Sequence, residues 1–153
     1  MITEKAIRAA IVDVIKTAYP DAVTYERNVL TSGRDTWASL FRRQVVNEIF
    51  THGWIVRRKS TTKTFNADYR TSEFEVLGFY GFKFGTTATN SENEFQAIID
   101  NLVEIFDGVV ELGLGGSVMH EGLSMPDIGL INTKDTEFLH IAIGQMRVRD
   151  FSC

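Results

Sequence analysis

The apolar positions near the start of the chain have the period of an amphipathic helix. They recur three or four residues apart, at Ile7, Ile11, Val14, Ile15 and Ala18. Thr3 is a suitable N-cap, and Pro20 pushes Tyr19 away from helical geometry. The pattern therefore predicts a helix between Thr3 and Pro20 with one buried face.

Two later runs have β character. Residues 50–60 are rich in β-branched and aromatic side chains until the basic residues at 57–59. In residues 72–84, Phe74, Val76 and Tyr80 share one parity, whereas Glu73 and Glu75 share the other. This period of two is typical of a half-buried strand. We expect the two runs to form a long antiparallel hairpin, joined by a polar loop over residues 60–71.

A second amphipathic helix is predicted over residues 92–107. Ser91 and Glu94 have the spacing of a capping box, and Gly108 stands where a C-terminal glycine cap is expected. The apolar stripe between them is broad and consists of Phe95, Ile98, Ile99, Leu102, Val103 and Phe106. A stripe of this width indicates packing against a core.

The other segments carry weaker patterns. Val23 and Tyr25 indicate a short strand, and the spacing of Trp37, Leu40 and Phe41 indicates a short helix or turn with Arg42 and Arg43 at its basic edge. Residues 108–136 are expected to be irregular, with a short strand near 127–132, and residues 137–150 are expected to form a last strand. The fold class predicted for the single domain 1–153 is α+β. Its antiparallel or mixed sheet would contain the long hairpin and be packed by both helices.

The charge is unevenly distributed along the chain. Residues 1–77 contain 12 Lys or Arg and 9 Asp or Glu, whereas residues 78–153 contain 4 and 11, so the halves carry +3 and −7. This asymmetry suits head-to-tail contacts between like subunits, but charges that simply follow solvent exposure would give the same count. The net charge of −4 argues against a general nucleic-acid binder.

Residues with metal-binding or nucleophilic chemistry are sparse. His52, His120 and His140 are far apart and lack the spacing of a zinc motif, so we expect two loop or surface histidines and one strand histidine. Cys153 is the only cysteine, which excludes an internal disulfide, and a terminal thiol is a poor nucleophile. The Gly113–Gly116 segment lacks the remaining residues of a phosphate loop. The sequence therefore predicts no metal, no cofactor and no catalytic residue, and no apolar run is long enough to cross a membrane.

Two charged groups remain as candidate sites. Glu73 and Glu75 share one strand face and suit acid–base work, although pairing with Arg57 or Lys59 across the hairpin is the favoured interpretation. The basic concentration at the hairpin loop consists of Arg57, Arg58, Lys59, Lys63 and Arg70. It would dock onto an acidic protein surface or contact nucleic-acid phosphates, unless it is a solvated loop. The acidic net charge favours the protein partner.

The order of elements resembles the tail terminator (neck) proteins of long-tailed bacteriophages and prophages. The resemblance rests on GWIVRRKS, followed by EFEVLGFYGF, NSENEFQAIIDNLVEIF and the closing FLHIAIGQMRVRDF, and covers roughly residues 1–150. It implies a small structural subunit that forms a ring, usually a hexamer. The ring caps the tail tube, ends its polymerisation and offers an interface for head–tail joining. Such rings have no active site.

The resemblance also implies partners and a location. These are further copies of the chain, the tail-tube protein, the head–tail connector or a head-closure protein, and a tail sheath where the tail is contractile. Genome DNA would pass through the lumen without specific binding, with no membrane contact. The protein would be assembled in the bacterial host cytoplasm and end in the virion neck. On this view the basic residues at 57–70 would contact the tube or a neighbouring subunit, and Glu111, Glu121 and Asp127 would line an acidic lumen.

Three alternatives remain open. A head-closure or tail-completion neck protein would also form a ring. A small α/β enzyme would use Glu73 and Glu75 in a cleft. A nucleic-acid module would bind DNA in a salt-dependent way through Arg58 and Lys59.

Overall fold

The computed structural model of the chain describes residues 2–26, 42–45, 48–63, 68–83, 88–133 and 137–152. The elements in chain order are α1 (Glu4–Ala18), β1 (Val23–Tyr25), β2 (Arg42–Val45), β3 (Glu48–Lys63), β4 (Arg70–Lys83), α2 (Ala88–Asp107), β5 (Val118–Thr133) and β6 (Glu137–Asp150). The short strand expected at Val23 and Tyr25 is confirmed. The expected helix at Trp37, Leu40 and Phe41 lies outside the described residues, and Arg42 and Arg43 begin strand β2.

The described strands form one six-stranded mixed sheet in the order β1-β3-β4-β6-β5. β1 runs parallel to β3, and β2 pairs antiparallel with an earlier part of β3. The pairs β3–β4, β4–β6 and β5–β6 are antiparallel. The two described helices pack on one face, which buries a core around Trp54, Phe74 and Phe95. The predicted α+β fold with a mixed sheet is confirmed.

The hairpin of β3 and β4 is longer than the sequence predicted. Its register runs from Phe50 opposite Phe82 to Lys63 opposite Arg70, with a bulge between Arg58 and Ser60. A sixteen-residue strand such as β3 spans about 50 Å. Much of the polar segment predicted as a loop is therefore strand, because threonine and serine fit a solvent-facing ladder as well as a loop.

Helix α1 has the predicted ends, and three of its five predicted core positions are fully buried, whereas Val14 and Ala18 are only partly buried and Val12 is buried instead. The Thr3 Oγ1 accepts a hydrogen bond from the Ala6 N–H at 3.1 Å, which caps the first turn. The helix ends at Ala18, before Tyr19 and Pro20. Ile7, Ile11 and Ile15 are fully buried.

Helix α2 begins earlier than predicted. It starts at Ala88, so Ser91 lies inside the helix and the predicted capping box is wrong. The S-x-x-E spacing is also compatible with a helix interior, and the sequence alone did not distinguish the two. At the other end Gly108 follows the helix as expected, and its N–H donates to the carbonyls of Glu104 and Ile105 at 3.2 and 3.1 Å.

The expectation of an irregular segment holds for residues 108–117 and the strand expected near 127–132 is present, but residues 118–126 are also strand, which was not predicted. Strand β5 occupies sixteen of these residues, Val118–Thr133. Its register with β6 shifts between His120 and Leu123, and again between Ser124 and Asp127. Each bulge resets the alternation of side chains, so the period of two does not persist along the strand. The partner strand β6 has the bounds that the sequence predicted.

Candidate functional site

The basic residues of the hairpin are mostly engaged within the molecule. Arg57 forms an ion pair with Glu75, its cross-strand neighbour, and Arg58 pairs with Glu4 at the start of α1. Arg70 pairs with the buried Asp150 at 3.0 Å and donates to the Ile2 carbonyl. Lys59 is exposed at the bulge. The backbone of Lys63 pairs with Arg70, and its side chain lies outside the description.

The two candidate catalytic carboxylates belong to a row of ion pairs. Glu73 accepts hydrogen bonds from Arg147 at 2.9 and 3.2 Å, and from the Ser60 hydroxyl at 3.3 Å. The hydrogen bond from Arg147 lowers the pKa of Glu73, and partial burial opposes it. A general acid needs the opposite shift. The pairing expected between Glu75 and Arg57 is confirmed.

This row continues onto the edge strand of the sheet. Arg147 approaches Glu121 at 3.6 Å, and Arg149 forms an ion pair with the same carboxylate. We call the set of Arg57, Glu73, Glu75, Glu121, Arg147 and Arg149 the charged ladder. Its strand residues lie on the sheet face opposite the helices, as their register with one another requires.

Apolar side chains lie beside the charged ladder on the same face. Ile55 and Phe79 are buried in a small second cluster, with Leu77 and Ile141 packed against it. Ile143, opposite Leu77, is 40% exposed. This face thus combines exposed apolar surface with paired charges, a composition found in protein–protein interfaces.

The three acidic residues predicted for a lumen are placed as follows. Glu121 lies in the first bulge of β5 and pairs with two arginines. Glu111 is exposed on the turn that follows α2. The backbone of Asp127 pairs with Ile143, and its side chain lies outside the description.

All three histidines are buried in strands, so the expectation of two loop or surface histidines is wrong. His52, Tyr80 and His140 are register partners across β3, β4 and β6, at 6%, 9% and 3% exposure. The Trp54 indole N–H donates to His52 Nε2 at 3.0 Å, and burial lowers the pKa of His140. The parity that His52 shares with Trp54 and Val56 was the signal that placed it inside.

Two side chains of α2, Glu94 and Phe95, contact Tyr80 in this row. The ring of Phe95 stacks on Tyr80, with centroids 5.6 Å apart. The Tyr80 hydroxyl donates to Glu94 at 2.8 Å, and burial together with this carboxylate raises the pKa of Tyr80. The row is a packed polar part of the core, and we assign it a structural role.

Hydrogen bonds of His120 hold the turn after α2 against strand β5. Its Nε2 lies 3.2 Å from the Val109 carbonyl, and its Nδ1 accepts from the Gly122 N–H at 2.9 Å. These contacts require the neutral tautomer with the proton on Nε2. The backbone N–H of His120 also donates to the Val110 carbonyl at 3.0 Å.

An apolar groove of about 920 Å³ lies between α1 and this turn. Its walls come from Ala6, Ala9, Ala10, Asp13, Val14, Thr17 and Ala18 of α1, and from Ile105, Val109, Leu112, Gly113 and Leu114. This groove was not predicted, because the apolar spacing in α1 indicates a single buried face.

The described residues contain neither a candidate metal-binding cluster nor a candidate membrane-spanning helix. Within them, no three His, Cys, Asp or Glu side chains are grouped to hold a metal ion. No helix in the same ranges combines the length and hydrophobicity needed to span a membrane. No protein-family model matches the chain, and no curated protein matches it.

Proposed function

We propose that this protein is a structural subunit of a bacteriophage neck, a tail terminator that forms a ring on the end of the tail tube. The ring would end tube polymerisation and provide the interface for head–tail joining. Its partners would be further copies of the chain, the tail-tube protein and the head–tail connector or head-closure protein. The virion is its place of action, and the subunit is assembled in the host cytoplasm.

The observation that carries the proposal is the sheet face opposite the helices. There the exposed Ile143 and the partly buried Leu77 and Ile141 adjoin the charged ladder. A head-to-tail ring needs a surface of this kind, which combines apolar burial with charges that fix orientation. The similarity in element order and phrasing to tail terminators supports the same conclusion.

The charge distribution is consistent with head-to-tail contacts. Positive charge is concentrated in residues 1–77 and negative charge in residues 78–153. In the structure, α2 and the turn after it carry the exposed Glu104, Asp107 and Glu111, whereas the charged ladder pairs three arginines with three glutamates. Two unlike surfaces on one subunit are what a head-to-tail interface requires.

The experiment is negative-stain electron microscopy of the protein mixed with a tail-tube protein from the same virus, with light scattering on each protein alone. We expect rings, or tubes that stop growing at stoichiometric addition. A monomer in free solution is compatible with the proposal, because the ring can close only on a tube end. If the protein neither forms rings nor changes tube length, the terminator function is wrong, and capping of the head connector becomes the next hypothesis to test.

A matched pair of variants tests the surface. Ile143 and Ile128 are 40% and 38% exposed on neighbouring strands, but Ile128 is the register partner of Ala142 and so lies on the helix side. We expect Ile143→Glu to abolish ring formation or tube capping and Ile128→Glu to preserve it. Equal loss in both variants would mean that the sheet face opposite the helices is not the interface.

A further inference from the structure

A row of three ring side chains lies between the sheet and helix α2. His52 of β3, Tyr80 of β4 and His140 of β6 are register partners, and all three are buried. We call them the histidine row. Imidazole is the side chain whose charge ordinarily changes near neutral pH, and burial penalises its charged form. Two imidazoles in one part of the core therefore make the packing there sensitive to acid.

The histidine row supports the first half of α2 through Phe95. This side chain is fully buried. Its ring centroid lies 5.6 Å from that of Tyr80, 6.2 Å from Trp54 and 6.3 Å from His140. The Tyr80 hydroxyl also donates to Glu94 at 2.8 Å. A change in the row is therefore passed directly to the helix.

A second connection runs through Tyr19, which follows α1. Its ring stands edge-on to His52, with centroids 5.4 Å apart. Its hydroxyl donates to the Ile98 carbonyl at 3.2 Å and accepts from the Asn101 side-chain amide at 2.9 Å. Both ends of the row are thus connected to α2, one through Tyr19 and the other through Phe95.

The hydrogen bond between Trp54 and His52 requires a neutral imidazole. The indole N–H can only donate, and it points at His52 Nε2 at 3.0 Å, so this nitrogen must carry a lone pair. Protonation would set two N–H groups against each other and place a charge in the core. The ring of Tyr80 on β4 packs edge-on against the imidazole, and β2 meets β3 one residue earlier, where Arg42 is opposite Thr51.

His140 is held in its neutral form by burial. Burial lowers the pKa of this histidine, although the negative charge of Glu92 on α2 opposes the shift. Glu92 is exposed, and water screens its charge. The neighbouring strands contribute Tyr80 from β4 and Leu130 from β5 as the register partners of His140.

The two imidazoles are close enough to repel each other when both are charged. They lie on strands separated only by β4, which places them about 10 Å apart. Burial and Glu94 raise the pKa of Tyr80, so the phenol between them brings no negative charge. Glu92 and Glu94 are exposed on α2. For water and these carboxylates to reach both charged rings, the first half of α2 must move away from the sheet.

We propose that His52 and His140 form a pH-dependent latch, which holds residues 92–99 of α2 on the sheet while both rings are neutral and releases them when the rings are protonated. The other end of α2 has its own histidine contact at His120. That residue is opposite Val148, eight residues or about 26 Å along β6 from His140, so the two ends can be followed separately. The latch is a property of the isolated subunit and does not depend on the ring proposed above.

Proton linkage gives the direction and size of the effect. A histidine that stays neutral in the closed form, and ionises with a pKa of about 6.5 once α2 has opened, takes up its proton only in the open form. The closed packing is therefore complete above about pH 6.5 and weakens as the pH falls below it. Between pH 7.5 and 5.5 the equilibrium constant for opening should rise about tenfold for each histidine, or about a hundredfold for both.

Hydrogen exchange followed by mass spectrometry tests the latch on the unaltered protein at pH 7.5 and 5.5. After correction for the intrinsic pH dependence of exchange, we expect the protection of residues 92–99 to fall by about a hundredfold. Residues 7–15 of α1 serve as the internal reference and should change far less. Proton NMR of the three histidine rings gives their pKa values directly, and we expect those of His52 and His140 to lie below about 6.5.

Three variants assign the effect to the histidine row. His52→Gln keeps an oxygen that can accept from Trp54 but cannot ionise, and His140→Gln likewise removes the titration. Each should remove about tenfold of the pH response in residues 92–99, and both together nearly all of it. His120→Gln is the matched control, because it removes the histidine outside the row and should leave that response unchanged. Circular dichroism confirms that each variant is folded. If the double variant is unfolded, the single variants and the NMR titration still decide.

Several outcomes would overturn the proposal. These are protection of residues 92–99 that does not change with pH, pKa values at or above about 6.5 for both row histidines, or a pH response that survives in both glutamine variants. An equal loss of protection in α1 and α2 would also reject it, because the whole protein would then unfold in acid and no latch would be needed.

Discussion

Gly78 lies on strand β4 directly beneath the ring of Trp54. An ideal Cβ at this position would stand 2.5 Å from Trp54 Cζ3 and 2.8 Å from Cη2. Trp54 has no exposed surface and packs near Phe95 of α2, so the indole has little room to move. The absence of a side chain at residue 78 therefore leaves the space that the Trp54 ring occupies on the sheet.

We expect Gly78→Ala to lower the free energy of unfolding by about 1–3 kcal/mol, because the new methyl group overpacks the core. Urea unfolding followed by tryptophan fluorescence measures the change. Gly129→Ala is the matched control, since a Cβ on this strand residue meets nothing within 4 Å and its φ is not positive. Comparable stability losses in the two variants would show that strand glycine itself, and not contact with Trp54, is responsible.

The buried histidines show a limit of prediction at the same scale. Histidine is common both at the surface and in the interior, so its identity alone does not place His120 or His140. Their burial depends on Phe106 and Tyr80, which pack near them from distant parts of the chain. The predicted roles of Arg57, Glu111 and the other candidate interface residues stay predictions, because they depend on other molecules.

Among the elements, those determined by local signals were predicted best. The Thr3 cap, the end of α1 before Pro20 and the bounds of β6 all follow from patterns within a few residues. The two bulges of β5 and the early start of α2 did not, because each depends on where a neighbouring strand or the core lies. The groove was missed for the same reason, since it needs the turn at 109–114 as its second wall.

The cap of α1 can be tested directly. Thr3→Ala removes the acceptor for the Ala6 N–H and should cost about 1 kcal/mol of stability. Thr17→Ala replaces an exposed threonine in the last turn of the same helix and should change stability far less. Thermal unfolding by circular dichroism distinguishes the two, and an unchanged midpoint in Thr3→Ala would mean that another group caps the helix.

At the scale of the whole molecule, the two ends of the described chain meet beside the far end of the hairpin. The Ile2 N–H donates to Ser152 Oγ at 3.1 Å, and Arg70 of β4 donates to the Ile2 carbonyl. Asp150 accepts from Arg70 and from the Ser152 N–H at 3.0 and 2.9 Å. The buried carboxylate of Asp150 therefore joins β6 to the hairpin, and its partners Arg70 and Ser152 in turn hold Ile2, which precedes α1.

Burial raises the pKa of Asp150, but hydrogen bonds from Ser152 and the charge of Arg70 outweigh it, so the folded-state pKa lies below the usual value of 3.8. As the pH falls, Asp150 is therefore protonated in the unfolded chain before it is protonated in the folded protein. The stability that this carboxylate contributes is complete above the unfolded pKa and is lost as the pH falls through the folded pKa.

Asp150→Asn should therefore destabilise the protein at pH 7 by about 3 kcal/mol, since it removes the charge of a largely buried ion pair with Arg70. The difference from the unaltered protein should shrink as the pH falls below 4. Denaturant unfolding at both pH values tests this, with Glu73→Gln, in the more exposed pair with Arg147, as a control that should lose much less. A difference that does not change with pH would contradict the role assigned to the charge.

The strand order has a consequence for synthesis on the ribosome. β6 lies between β4 and β5 in the sheet, although it follows both of them in the chain. Until β6 emerges, the completed β3–β4 hairpin has an unpaired edge along β4. Phe74 and Val76 on that strand then lack their contacts with Met146 and its neighbours on β6. On a polysome, nascent chains that expose this edge lie near one another, which favours edge-to-edge aggregation at this stage.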